Sequence, residues 1–123
     1  MTDAAHTVLL VEDDDDMRGA YAAYLEGAGY TVVEAANGHE ALEFLRGSAE
    51  RVCLILLDLF MPRMNGWTFR AEQLRDPRIA AIPIVVVSAG SRTDRNAAAL
   101  GARAHLQKPV DMDALVALVG AHC

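Results

Sequence analysis

Five short apolar runs, each followed by a stretch with helical spacing, alternate along this 123-residue chain. The third and fourth runs are apolar up to their last residue, as strands are when helices cover both faces of their sheet. They are 7–11 (TVLLV), 31–35 (TVVEA), 52–58 (VCLILLD), 82–88 (IPIVVVS) and 103–107 (RAHLQ). The helix-like stretches are 14–28, 39–47, 65–75, 93–100 and one that begins at Asp111. Because parallel strands require right-handed crossovers, this alternation predicts the α/β class, as a (βα)5 doubly wound five-stranded parallel sheet.

Capping and turn residues punctuate the predicted helices. Gly29 and Gly101 follow the first and fourth helices, where a left-handed residue commonly ends a helix. Either Asp14 or Asp15 is expected to cap the first helix, since an aspartate accepts hydrogen bonds from the first turn. Asn37-Gly38 predicts a turn between the second strand and the second helix.

Composition excludes several classes of protein. Hydrophobic residues make up 53% of the chain, too many for a disordered protein. The net charge is −6, which argues against direct nucleic-acid binding. No apolar run approaches the roughly 18 residues of a membrane span, and residues 1–7 lack the features of a secretory signal. We therefore expect a single cytoplasmic domain over 1–123.

The two cysteines do not suggest a disulfide framework. Cys53 lies within an apolar strand and Cys123 is the last residue. We interpret them as a small buried residue and an incidental thiol.

Chemically capable side chains follow four of the five predicted strands. Glu12 and Asp13 come after the first, Asp58 ends the third, Ser88 ends the fourth and Lys108 follows the fifth. A parallel sheet gathers these strand ends along one edge, where ligands usually bind. Three carboxylates, a hydroxyl and an ammonium together suit a divalent cation and a phosphoryl group.

Each of these residues also has a purely structural interpretation. The acidic run can be a solvated helix start, Asp58 can bond the following turn, and Ser88 can cap a turn. The functional interpretation makes Asp58 a nucleophile that forms an acyl phosphate, with a metal and Lys108 stabilising the charge. Lys108-Pro109 is also a candidate cis peptide bond. The occurrence of all four signals in this order favours the functional interpretation.

The motifs VLLVEDD, LILLDLFMPRMNG, IVVVSAG and HLQKP resemble those of CheY-like receiver domains from bacterial two-component response regulators. The resemblance covers essentially the whole chain, and its central motif is highly specific. It implies the strand order 2-1-3-4-5 and a single receiver domain, with no effector or DNA-binding domain.

The resemblance also implies a Mg²⁺ site. Asp58 would be the phosphoacceptor. Asp13, Asp58 and the backbone carbonyl of Phe60 would ligate the metal, and Glu12 would act mostly through a water. A bulky ring at Phe60 could hinder the attacking water, which predicts slow autodephosphorylation.

The implied switch involves Ser88 and His105. Ser88 and Lys108 would contact the phosphoryl oxygens, with Ser88 standing in place of the family's usual Thr. His105 occupies a position usually held by Tyr or Phe, which turns inward on phosphorylation. Either His105 is a half-exposed strand residue without a role, or the output depends on pH, since histidine can change charge between pH 5 and 8. The switched face would comprise the fourth helix, fifth strand and fifth helix.

By this resemblance the phosphoryl group comes from a histidine kinase or a histidine phosphotransfer protein, and the output is a downstream protein target. The first helix, including Met17 and Tyr21, is the expected kinase-docking surface. The domain would catalyse its own phosphorylation and autodephosphorylation without being a turnover enzyme. A monomer or weak dimer is expected.

Three other functions compete with this interpretation. A haloacid-dehalogenase-type phosphatase would need an aspartate where Phe60 stands. A flavodoxin-like FMN binder would need a phosphate-binding loop where the run of aspartates lies. A degenerate receiver that acts as a phosphorylation-independent interaction module remains the alternative, although every position needed for the chemistry holds a competent side chain.

Overall fold

The structure, a computed structural model, describes residues 7–48, 52–90 and 92–123. Its five strands are β1 (Thr7–Val11), β2 (Thr31–Ala35), β3 (Leu54–Leu57), β4 (Ile84–Ser88) and β5 (Ala104–Gln107). Its five helices are α1 (Asp15–Gly27), α2 (Gly38–Ser48), α3 (Gly66–Arg75), α4 (Thr93–Ala99) and α5 (Met112–His122). The predicted alternation is confirmed. The last three strands begin one or two residues later than predicted, and β4 starts directly after Pro83, which has no backbone N–H to donate to a ladder.

The sheet has the order β2-β1-β3-β4-β5 and every neighbouring pair is parallel. The register pairs Val11 with both Ala35 and Leu57, and Ser88 with Gln107. The carboxyl ends of the strands therefore lie along one edge of the sheet, as the sequence predicts.

The core has two halves, one on each face of the sheet. Helices α2, α3 and α4 cover one face and α1 and α5 cover the other. The side chains that fill the two halves are fully buried, among them Phe69 on the first face and Leu25 and Leu115 on the second. β3 is buried at every position because it lies at the centre of this covered sheet.

Most of the predicted helix caps are confirmed, but the prediction of a turn at Asn37-Gly38 is wrong. Asp14 caps α1 by accepting from the backbone N–H of Met17, and Gly29 follows with φ +101°. Asn37, predicted as part of a turn, instead accepts from the N–H of Glu40 at 2.9 Å, and Gly38 is the first residue of α2.

Close packing explains why glycine occupies position 38. A Cβ there would lie 2.7 Å from the sulfur of Met64, so the glycine lets the α2 backbone approach that side chain. The Asn-Gly pair serves helix packing and not a turn.

The interpretation of Cys53 and Cys123 as a small buried residue and an incidental thiol is wrong. Cys53 and Cys123 form a disulfide, with their Cα atoms 5.0 Å apart. Helix α5 runs back alongside the sheet, so its carboxyl end returns to the amino end of β3, where Cys53 lies. Residues 70 positions apart are thereby brought together, which neither local sequence context could indicate.

A buried polar network joins α3 to its surroundings. Gln73 is fully buried and donates to the carbonyls of Ile79 and Ile82. Arg70 donates to the Gln73 side-chain oxygen and to the carbonyl of Leu100 at the end of α4. The network therefore fixes the carboxyl end of α4 against α3.

Across the part of the chain that the structure describes, every helix is too short or too polar to cross a membrane.

Candidate functional site

The strand-end residues predicted from the sequence converge at the carboxyl edge of the sheet. Lys108, just beyond β5, places its Nζ 2.6 Å from Glu12 Oε1 and 3.4 Å from Asp58 Oδ2. Glu12 follows β1 and Asp58 follows β3, so one ammonium group joins three strand ends. Glu12 and Asp58 are buried and the Lys108 side chain is 13% exposed.

Glu12, Asp13 and Asp58 form a group of oxygen donors. Their carboxylate oxygens lie within 4.8 Å of one another, with Asp13 exposed and the other two buried. Two buried carboxylates and an accessible third are the hard oxygen ligands that Mg²⁺ takes, together with waters or phosphate oxygens. This donor set fits a divalent cation.

Asp58 is held in an environment that disfavours its charge. Burial, followed by the nearby charge of Glu12, raises the pKa of Asp58 from 3.8 to about 6, although Lys108 and the Phe60 N–H offset part of the effect. Asp58 is therefore mostly ionised at pH 7, yet its carboxylate is less stabilised than a solvated one. A bound cation, or transfer of a phosphoryl group to one of its oxygens, would offset the unfavourable burial of the Asp58 charge.

The backbone around Asp58 is fixed on both sides. Its N–H donates to the Val11 carbonyl at 3.0 Å, and Asp58 Oδ1 accepts from the N–H of Phe60 at 3.2 Å. Gly66 packs directly behind this segment, where a Cβ would lie 2.7 Å from Leu59 Cα and 2.9 Å from the Asp58 carbonyl oxygen. Glycine at 66 is therefore needed for the backbone of the site to approach α3.

Lys108 is positioned by its backbone as well as by its side chain. Its N–H donates to the carbonyl of Ser88 at 2.9 Å, and the Lys108-Pro109 peptide bond is cis, as the sequence suggested. Burial alone would lower the pKa of Lys108, but the hydrogen bond that Lys108 donates to Glu12 and the charges of Asp58 and Glu12 raise it overall. Lys108 is therefore a permanent cation at the site.

Ser88 lies at the end of β4 and is fully buried. Its hydroxyl lies 3.4 Å from the carbonyl oxygen of Ala89, to which it donates. Thr93, in the first turn of α4, donates its hydroxyl to the carbonyls of both Ser88 and Gly90. Sequence reasoning did not single out Thr93, although threonine side chains commonly form hydrogen bonds to nearby backbone groups.

Arg18 is a second residue that sequence reasoning missed. Its guanidinium donates to the backbone carbonyl of Glu12 at 2.8 Å and to the side chains of Asp15 and Glu34. It thereby connects the end of β1 to α1 and β2. The available signal was its i,i+3 spacing from Asp15 on a predicted helix.

Phe60 is the most exposed apolar residue beside the site. Its side chain is 56% exposed, and its ring meets Trp67 edge-to-face with centroids 5.4 Å apart. The role of its backbone carbonyl as a metal ligand stays a prediction.

His105 lies on β5, an edge strand, and is exposed. It pairs in register with Val86, whose side chain faces α2, α3 and α4, so His105 projects on the α4 side of the sheet.

The predicted docking surface on α1 needs one correction. Met17 is 36% exposed, whereas Tyr21 is only 5% exposed and packs in the core between α1, α5 and the sheet. The hydroxyl of Tyr21 faces Met17 at 3.5 Å, and burial raises its pKa. Tyr21 packs in the core next to the site and does not present a surface to a partner.

Comparison with known proteins identifies relatives over nearly the whole chain. The family model for the response regulator receiver domain matches residues 8–120. The transcriptional regulatory protein CrdR of Helicobacter pylori is 36% identical over 114 residues, which are 91% of this chain and 52% of CrdR. Protein PilH of Pseudomonas aeruginosa is 31% identical, over 93% of this chain and 94% of PilH.

Solved structures agree with these relatives. A putative response regulator from Chloroflexus aurantiacus superimposes with a TM-score of 0.86 at 31% identity, covering 94% of this chain and 95% of that one. The chain spans about half the length of two curated relatives, CrdR and the response regulator Rre1 of Synechocystis, at 52% and 49%.

Proposed function

The chain belongs to the response regulator receiver domain family of two-component signalling, and from that premise we propose that Asp58 accepts a phosphoryl group in a Mg²⁺-dependent reaction. The observation that carries the proposal is the position of Lys108, whose ammonium lies between the buried carboxylates of Glu12 and Asp58. A structural ion pair needs one carboxylate, whereas this arrangement holds two carboxylates and one cation beside an accessible third acid.

The chemistry follows from the nucleophile and its surroundings. An Asp58 oxygen attacks the phosphorus of the donor, the bond from phosphorus to the donor breaks, and an acyl phosphate forms. Asp58 can attack at pH 7 because its pKa of about 6 leaves it mostly ionised. Lys108 Nζ and the Ser88 hydroxyl would bind the phosphoryl oxygens and stabilise their charge.

Asp13, Asp58 and the Phe60 carbonyl would hold Mg²⁺, with Glu12 acting through a water. The metal when bound would neutralise charge on the acids and on the phosphoryl oxygens. The fit of the donor set, three carboxylates within 4.8 Å, supports this assignment.

The output would pass through α4. Thr93 bonds the carbonyls of Ser88 and Gly90, so a shift of Ser88 toward a phosphoryl group would pull the amino end of α4. Arg70 holds the other end of α4 through Leu100. Such a movement would change the face made by α4, β5 and α5, where His105 is exposed.

The donor would be a histidine kinase or a histidine phosphotransfer protein, and the target a downstream protein bound at the switched face. One relative, 30% identical over 93% of this chain, is the sensor histidine kinase CheAY of Helicobacter pylori. We propose a cytoplasmic, monomeric or weakly dimeric domain that promotes its own phosphorylation and dephosphorylation without turning over a separate substrate.

The first test is intact-mass analysis after incubation with acetyl phosphate and Mg²⁺. One added phosphoryl group is expected in the parent protein and none in Asp58→Asn or in a sample with excess chelator. An adduct that persists in Asp58→Asn would refute the assignment of the acceptor. Absence of both a phosphoryl adduct and a beryllofluoride complex would favour a phosphorylation-independent interaction module instead.

The role of His105 is tested by His105→Tyr in a partner-binding assay from pH 5.5 to 8. If His105 is the switch residue, phosphorylation-dependent binding changes with pH in the parent and loses that dependence in the variant. An identical pH profile in both proteins would leave His105 an exposed strand residue without a role.

A further inference from the structure

The disulfide between Cys53 and Cys123 lies outside the phosphoryl site and has no part in the proposed chemistry. Cys53 precedes β3, whereas Asp58 follows it, so the two lie at opposite ends of the same strand. Cys53 is half-buried and Cys123 is exposed. The bond joins the last turn of α5 to the amino end of the central strand.

One end of the bond is an exposed residue, Cys123, so a reducing compartment acts on this bond. Stable disulfides are uncommon in the cytoplasm, and those that form there are usually transient and respond to redox conditions. If this receiver works beside a cytoplasmic phosphodonor, as the proposed function has it, the bond is exposed to low-molecular-weight thiols. We propose that Cys53 and Cys123 are a redox-active pair, which small disulfides such as glutathione disulfide oxidise and small thiols reduce.

The two cysteines differ in the roles they can take. The sulfur of Cys53 lies 3.1 Å from the backbone carbonyl of Thr7, an acceptor that favours the protonated thiol in the reduced protein. Cys123 is exposed and reaches small reagents directly. Cys123 is therefore the attacking sulfur and Cys53 the resolving one.

Oxidation then proceeds in two exchanges. The Cys123 thiolate attacks one sulfur of glutathione disulfide, a mixed disulfide forms and one glutathione thiolate leaves. The Cys53 thiolate, after losing its proton to solvent, attacks the Cys123 sulfur and expels the second glutathione thiolate. The protein loses two protons and two electrons, and one glutathione disulfide becomes two glutathione thiols. Reduction is the reverse.

The bond acts on the last turn of α5. The buried residues of α5 are Leu115 and Val119, whereas Gly120, Ala121 and Cys123 are exposed. A glycine weakens a helix and small exposed side chains add little packing. The disulfide thus adds a covalent link between this turn and the amino end of β3, and reduction should loosen the turn. Because α5 belongs to the proposed partner face, the redox state would alter partner binding and not phosphoryl acceptance.

The primary test counts thiols in the parent protein across ratios of reduced to oxidised glutathione, by alkylation and intact-mass analysis. We expect two alkylated thiols at the reducing end, none at the oxidising end, and a reversible transition between them. Two free thiols under excess glutathione disulfide would overturn the proposal. A bond that excess reduced glutathione leaves intact would show a permanent crosslink and would overturn it too.

Two matched variants test the assigned roles. Cys53→Ser should accumulate a glutathione adduct on Cys123, because no resolving thiol remains. Cys123→Ser should form its adduct on half-buried Cys53 at least several-fold more slowly. Equal rates in the two variants would refute Cys123 as the attacking sulfur.

Hydrogen exchange measures the effect on α5. Amides in the last turn should exchange on the order of tenfold more slowly in the oxidised than in the reduced parent, and equal exchange would refute the anchoring role. Acetyl phosphate labelling of both redox states separates this proposal from the proposed function. Reversible thiol oxidation, with neither a phosphoryl adduct nor a beryllofluoride complex in either redox state, would refute the proposed function and leave the redox proposal standing.

Discussion

Replacing Asp58 with Asn should stabilise the folded protein at neutral pH when no divalent cation is present. The Asp58 carboxyl is 4% exposed, and burial beside Glu12 raises its pKa from 3.8 to about 6. Ionised Asp58 is therefore less stable in the folded than in the unfolded chain. Asn is close in shape to the protonated acid and can still accept from the Phe60 N–H, so the variant removes mainly the charge.

Proton linkage gives the sign and the size of the stability difference between the parent and Asp58→Asn. The folded state binds the proton more tightly, so the stability that protonated Asp58 contributes is fully present below pH 3.8 and is lost as pH rises through about 6. From these two values the cost in free energy of unfolding is about 1 kcal/mol near pH 4.5 and about 3 kcal/mol at pH 8. The advantage of Asp58→Asn should grow by about 2 kcal/mol over that range.

Urea denaturation of both proteins in chelator, at several pH values from 4.5 to 8, measures this difference. Exposed Asp13→Asn is the matched control, and it should change the free energy of unfolding by less than about 0.5 kcal/mol. Saturating Mg²⁺ should stabilise the parent more than Asp58→Asn, because the variant lacks one carboxylate ligand. A difference between the parent and Asp58→Asn that does not vary with pH, or a destabilised variant at pH 8, would refute the reasoning.

Three further variants probe the same site. Lys108→Met should lower the free energy of unfolding by roughly 1–3 kcal/mol at pH 7.5 in urea denaturation, because two buried carboxylates lose their shared cation; an unchanged midpoint would contradict this. Gly66→Ala should cost roughly 1–3 kcal/mol and slow acetyl phosphate labelling, since its Cβ would lie 2.7 Å from Leu59 Cα; normal stability and labelling would exclude that overlap. Phe60→Asn should shorten the lifetime of phosphorylated Asp58 several-fold, measured by loss of the mass adduct, whereas Phe60→Leu should preserve it. Equal lifetimes for both Phe60 variants would contradict shielding by the ring.

The elements that sequence predicted well are those whose signals are local. The continuous apolar runs around β3 and β4 indicated buried strands because both faces of each are covered. Asp14, Asn65 and Asp111 each precede a helix and cap it through their own side chains, so their effect depends on residues two or three positions away.

Misassigned features depended on packing between distant segments. Asn37-Gly38 has the local pattern of a turn, but contact with Met64 decides that Gly38 begins α2. The resemblance placed Tyr21 on a docking surface of the first helix, yet the packing of α5 against α1 buries it. Arg70 and Gln73 look like ordinary polar helix residues until the chain before β4 and the end of α4 supply their partners.

The sequence predicts the order of strands and helices along the chain and the type of side chain at each strand end, because both follow from periodicity and local chemistry. It also placed Glu12, Asp58, Ser88 and Lys108 at one edge, since parallel strands all end there. Tertiary structure alone decided that a single ammonium lies between two carboxylates, 2.6 and 3.4 Å away, and that burial raises the pKa of Asp58. Tertiary structure also brings Cys53 and Cys123 together to form their disulfide. Distances and desolvation depend on how segments pack in three dimensions, and that information is not contained in any one stretch of the chain.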